Sequence, residues 1–247
     1  MSSRNAPADP PLAGRDPAGA WVLPVQLALG LAYPFLAHAA ATHSGGWPAL
    51  ALGDLALLVL AAPLLHRRLW ALAVLAALLA ALAWIAATPW PSLLLLAPPV
   101  LFTGWLAWWF ARSLLGGREP LVARIVAALY ARAGWPTSPE LLAYARRLTA
   151  AWAAVLAFMT LANAALALVE VPGGVLDLLG RRPWFAVSPS AWSWFANLLN
   201  YGVLGGFMLG EFAYRKRRFP RRPYRNALDF GRQMAALGAG FWRDLLR

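Results

Sequence analysis

Apolar residues run along this chain in near-continuous blocks of about twenty, where a water-soluble helix would show a stripe every three or four positions and a strand would alternate. Six such blocks occur, at 21–41, 48–65, 69–87, 93–115, 149–169 and 191–214. A helix rising 1.5 Å per residue crosses a ~30 Å hydrocarbon core in about 20 residues and satisfies its own backbone hydrogen bonds inside it. The pattern predicts an all-α fold, a polytopic transmembrane helix bundle of about six spans. The second block is short and suits a thin or pinched bilayer.

Other stretches change the period. In "REPLVARIVAALYAR" Pro120 falls early in a helix, and Arg124 and Arg132 form a thin polar stripe beside a broad apolar face. That predicts one interfacial helix lying on the inner leaflet. "TSPE" then matches a capping box, with Thr137 as cap and Glu140 three residues on. A helix running from there to Val169 is about 48 Å long, so its first turns, with Tyr144, Arg146 and Arg147, project beyond the hydrocarbon.

Near the C-terminal end, Phe230, Met234, Leu237, Phe241 and Leu245 recur at helical spacing, which predicts an amphipathic helix. Gly231, Gly238 and Gly240 weaken it, and it is expected to order only against the membrane or a partner. The domain reading is a disordered cytoplasmic tail at 1–20, a membrane domain at 21–214 and a basic, amphipathic cytoplasmic tail at 215–247. The block at 21–41 is read as a span and not as a signal peptide, because Asp9 and Asp16 accompany the leading arginines and the block exceeds a secretory apolar region.

Charge orients the blocks. The connections carry Lys and Arg alternately in quantity and hardly at all, and with both termini cytoplasmic 20 of the 22 basic residues face the cytoplasm. The expected orientation therefore leaves both termini in the cytoplasm. "RKRRFPRRPYR", directly after the sixth block, becomes a cytoplasmic anchor on anionic lipids, worth roughly 1 kcal/mol per basic residue near the surface. Recruitment of an acidic partner such as an acyl carrier protein is the functional alternative.

Composition narrows the classes further. With 61% hydrophobic and only 13% charged residues and a mean hydropathy of +0.56, too little polar surface exists to cover a soluble globule. The net charge of +12 is spread between apolar blocks instead of gathered on one face, so nucleic acid is not an expected partner. The absence of cysteine excludes disulfides, thiolate nucleophiles and sulfur-ligated metal. His38, His43 and His66 lack the spacing that sets two ligands on one helix face, and neither a metal nor a cofactor is expected.

Ionisable residues inside a span cost about 2.5 to 3.5 kcal/mol at its centre and need a partner or a purpose. Asp54 and His38 sit near the same ends of adjacent blocks, as a proton-carrying pair or as a neutralised acid bonded to helix neighbours. Glu211 lies four residues before Arg215, which suits an i,i+4 ion pair or a ligand headgroup. Asn163, Asn197, Asn200 and Tyr201 gather in the last two blocks beside Trp152 and Trp194, where amides join helices across lipid for about 0.6 to 2 kcal/mol each.

Three strings, "GREPLVARI", "YARRLTAAWAAVLAFMTLANAALAL" and "WFANLLNYGVLGGFMLGEFAYRKRRFP", carry a likeness over 112–220. They resemble small polytopic membrane proteins encoded in bacterial gene clusters for aryl polyene and xanthomonadin-type pigment lipids. The resemblance singles out Arg118, Glu119, Pro120, Arg147, Trp152, Asn163, Asn197, Tyr201, Glu211 and Arg215 as pattern positions without assigning their roles. Members are sometimes labelled ketosynthase, but a condensing enzyme needs a nucleophilic cysteine that this chain lacks.

The expected function is a non-catalytic accessory protein that supports assembly of aryl-polyene-type lipids at the cytoplasmic face. Its expected partners are anionic lipids and an acyl carrier protein or acyltransferase. The alternative is a small transporter or flippase using Asp54, His38 and Glu211, which would need dimerisation or an enclosed path. Candidate functional residues are thus Arg118, Glu119, Arg147, Asn163, Asn197, Tyr201, Glu211, Asp54 and His38, none of them catalytic.

Overall fold

Helices form wherever long apolar blocks leave the backbone no better hydrogen-bond partner than itself, and glycine or proline marks several of their ends, while Pro24, Pro34 and Pro63 lie inside helices. The computed structural model describes residues 17–43, 45–220 and 222–246. Among these the fold is helical and without a strand, apart from one isolated parallel bridge between Glu170 and Val187. The chain forms two compact units, one up to Pro91 and one from Ser92.

In the first unit, α1 (Pro17–Thr42) and α2 (Trp47–Leu65) pack on each other, and α3 (Leu69–Ile85) packs on α2. Of the tail expected at 1–20, residues 1–16 lie outside the described residues, and 17–20 already belong to α1. Proline at the first turn fits without loss because its missing N–H would be unsatisfied there in any case. Arg67 turns the chain between α2 and α3 with φ +53°.

α4 (Trp90–Leu95) carries the chain across the boundary into the second unit, and its last residues lead into α5 (Ala97–Arg112). α6 (Leu121–Arg132) and α7 (Pro139–Val169) follow, then the short α8 (Val175–Leu178) and α9 (Pro189–Ser193). A π-helical turn (Trp194–Leu199) joins α9 to α10 (Asn200–Arg218), and α11 (Ala227–Ala235) and α12 (Gly238–Leu246) complete it. α7 spans 31 residues, about 46 Å at helical rise. Its N-cap is Ser138, whose Oγ accepts from Leu141 N at 3.2 Å, and not Thr137. Pro139 decides this, since its locked φ and missing N–H fit the first helical position.

α5 and α7 lie close because Gly104 leaves room: a Cβ there would stand 3.2 Å from Thr160 Cγ2. Thr160 Oγ1 donates to Thr103 Oγ1 at 3.0 Å across the same contact. Small residues and hydroxyl pairs of this kind join helices where apolar solvent gives no hydrophobic drive.

Four helical stretches, Ala18–Thr42, Trp47–Leu65, Trp90–Arg112 and Pro139–Val169, are long and apolar enough to cross a membrane. Their outward positions include Leu27, Leu31, Phe35, Val59, Phe102, Phe158 and Leu161, all exposed. Such apolar surfaces are compatible with a membrane protein. α3 is apolar but shorter, at 17 residues. The sixth expected block divides instead into α9, the π turn and a glycine-rich α10.

α6 departs from expectation. Its apolar side is covered by protein, with Ala123, Val126 and Tyr130 against Leu141 and Ala145 of α7. Leu121, Ile125 and Leu129 meet Phe230 and Met234 of α11, Leu237 of the turn that follows it, and Phe241 and Leu245 of α12. The C-terminal segment is thus ordered within the chain, as two helices divided at Gly238, where φ is +83°. Two incomplete apolar faces cover each other within the chain.

The start of α6 is held from both sides. Pro120, its N-cap, has no side-chain acceptor, so Leu121 N donates to Ser113 Oγ at 3.1 Å and Val122 N to Thr149 Oγ1 at 3.2 Å. Residues from α7 and from the end of α5 satisfy donors that a local cap would ordinarily take.

Candidate functional site

Where α7 and α10 meet, Tyr144 Oη donates to Glu211 Oε1 at 3.0 Å. The same oxygen lies 3.1 Å from Arg215 Nε, one turn further along α10. This is the i,i+4 pair expected from spacing, but both side chains are over 90% buried, at 9% and 8% exposure. Arg215 Nε is not aligned for a hydrogen bond, so the contact is an ion pair held by proximity.

Aromatic rings surround the guanidinium. Its carbon lies 4.9 Å from the centre of Phe230, 5.4 Å from Tyr224 and 5.9 Å from Phe212. Each ring contributes attraction for a cation, and together they tie α10 to α11. Tyr144 also stacks on Tyr214 at 5.8 Å. Burial holds the Tyr130 and Tyr224 phenols above their ordinary value against the opposing pull of Arg215 and Arg222, so both stay neutral. The cluster is a fixed cation in an aromatic box with one acid beside it, an arrangement suited to holding helices in register.

A second locus collects two sequence candidates, Arg118 and Glu119. They line a cavity of about 400 Å³ with Arg112, Arg124 and Ser113, walled by Trp109, Leu121 and Leu245. Among the described residues, three guanidinium groups and one carboxylate line it. Arg124 donates to the Asp244 carbonyl at 3.2 Å and Arg112 lies 4.8 Å over the Trp108 ring.

Asn163 and Asn200, 37 positions apart, meet between α7 and α10 through Asn200 Nδ2 donating to Asn163 Oδ1 at 3.0 Å. Both are buried, and Asn163 Nδ2 and Asn200 Oδ1 have no partner among the described residues. The π turn ends directly before Asn200; such turns recur at functional positions in helices. Nearby, Trp192 packs on Ala167 and Ala196 with its Nε1 unpartnered.

The remaining candidates are dispersed. Arg147 and Tyr201 are exposed, and the side chain of Asn197 lies outside the described residues, although its backbone is in the π turn. In the first unit His38 is half-buried on α1, and Asp54 is buried on α2 with Oδ2 unpartnered.

Several residues carry more than their sequence context signalled. Ser113 and Thr149 look like ordinary small residues in apolar helices until α6 is seen to dock on them. Glu170, directly after α7, is buried with Oε2 unpartnered, and that burial pushes its carboxyl up to about 7. An acid at the very end of an apolar block was its one available signal. Comparison with family models, with curated proteins and with solved structures finds no match to this chain.

Proposed function

We propose that this chain is a six-span protein of a bacterial inner membrane with both termini cytoplasmic, a non-catalytic accessory to assembly of aryl-polyene-type lipids. In this reading it presents a rigid basic surface to acidic partners at the membrane, an acyl carrier protein or an acyltransferase. The observation that carries it is the folding of the C-terminal basic segment onto α6. Arg132 donates to the Ala236 carbonyl at 2.6 Å and Arg124 to that of Asp244 at 3.2 Å, while Arg215 is fixed in its aromatic box.

A basic tail that served only as an anchor needs no such structure, because attraction to anionic lipid acts on a loose chain equally well. A docking face does need it, since charge complementarity selects a partner only when the charges hold their spacing. Expression of reporter fusions at residue 225 tests the orientation, with cytoplasmic signal expected. Copurification of the tagged chain with acyl carrier protein or acyltransferase is the expected result for the function. Recovery alone after mild solubilisation opposes it.

A transporter reading draws on Asp54, buried in α2 with one oxygen unpartnered. Loss of product export in Asp54→Asn, with synthesis intact, would favour that reading; unchanged export removes it.

A further inference from the structure

We propose that the cavity between the end of α5, the start of α6 and α12 binds the phosphodiester of an anionic glycerophospholipid, an inference that rests on the placement of this end of the bundle at the inner leaflet. The cavity, about 400 Å³, is lined both by Arg112, Arg118 and Arg124 and by the apolar Trp109, Leu121 and Leu245. A free phosphate would use only the first set. A lipid uses both, with the phosphate among the guanidinium groups and the glycerol and first acyl carbons along the wall.

Two of the three cations are held before any ligand arrives. The Asp244 carbonyl takes one Arg124 nitrogen at 3.2 Å, and the Trp108 ring lies 4.8 Å beneath the Arg112 guanidinium. Both contacts lower the ordering cost of binding. Guanidinium groups suit phosphate oxygens because their donors lie in a planar fork. Glu119, on the same rim, is an acceptor for headgroup hydroxyls and sets a limit on the negative charge the cavity takes.

α12 supplies Leu245 to the cavity and the carbonyl that aims Arg124, so the site exists only while the C-terminal helices sit on α6. Packing of Leu245 with Leu121, Ile125 and Leu129 keeps them there. Occupancy by lipid would in turn stabilise that packing, since a ligand favours the state that binds it.

The test is native mass spectrometry of the full chain in mild detergent, titrated with phosphatidylglycerol, with phosphatidylcholine, and with inorganic phosphate as competitor. The double variant Arg118→Gln, Arg124→Gln is compared with Arg217→Gln, Arg225→Gln, which removes equal charge from exposed tail positions. About five-fold is expected per arginine, so the first pair weakens phosphatidylglycerol binding about thirty-fold, while the second changes it less than two-fold.

Phosphatidylcholine should bind far more weakly, and millimolar inorganic phosphate should leave the lipid in place. Equal loss in both double variants, or equal binding of the two lipids, overturns the site. Full displacement by inorganic phosphate overturns the lipid assignment. The single variant Arg118→Gln, at an exposed side chain, guards against a folding defect and should show the five-fold effect alone. Lipid binding is read without reference to topology or protein partners, so its failure is separate from failure of the accessory-protein reading.

Discussion

Replacing Glu211 with glutamine keeps the side chain's shape and its ability to accept from Tyr144, and removes only the charge facing Arg215. The two side chains are 9% and 8% exposed, so solvent does little to screen the guanidinium that is left. Breaking a buried pair from one side costs about 3–5 kcal/mol. The low end applies here, about 3 kcal/mol, because Nε is poorly aligned with the carboxylate and three rings continue to attract the cation.

For a chain of this size each kcal/mol moves the melting temperature by roughly 2–4 °C, so Glu211→Gln should melt about 6–12 °C below the parent in detergent. Arg215→Met added to that variant removes the stranded charge and leaves an apolar side chain among Phe212, Tyr224 and Phe230. The double variant should return to within about 1 kcal/mol of the parent, since apolar replacements of buried ion pairs are often neutral. A shift below about 2 °C for the single variant, or a double variant less stable than the single one, refutes the account of this cluster as a buried, charge-balanced clamp.

Thr149→Val leaves the part-buried Val122 N–H without its 3.2 Å acceptor and should cost about 1 kcal/mol; an unchanged melting temperature would show that α6 needs no cap from α7. A Cβ on Gly174 would clash with the Glu170 carbonyl oxygen, so Gly174→Ala should lower thermal stability, whereas Gly202→Ala, in open space within α10, should be neutral or stabilising by up to about 1 kcal/mol. Glu170 holds its proton in the folded state up to about pH 7, while the unfolded chain releases it near the ordinary value of about 4.3. Folding therefore binds a proton between those limits, and stability should fall as pH rises through that window and then level off. Glu170→Gln should flatten this part of a melting-temperature profile taken from pH 4.5 to 8, and an unaltered slope would assign the pH dependence elsewhere.

Read from sequence alone, the apolar blocks determine a helical protein with surfaces suited to lipid, because the choice between backbone and solvent as hydrogen-bond partner is made within each block. Proline and glycine punctuation brings the helix starts and stops close, with Pro139 moving the cap of α7 by one residue. The Glu211–Arg215 spacing likewise reveals an ion pair, since residues four apart share a helix face.

Only the tertiary structure decided what covers each face. α6 carries an apolar side that lipid or protein could equally satisfy, and the choice fell to α11 and α12, more than 90 residues later in the chain. Ser113 and Thr149 become caps, Tyr144 joins Glu211, and Asn163 finds Asn200 because packed helices bring distant side chains within 3.3 Å. Such contacts depend on helix rotation and approach, which many weak packing terms set together and which no local run of residues encodes.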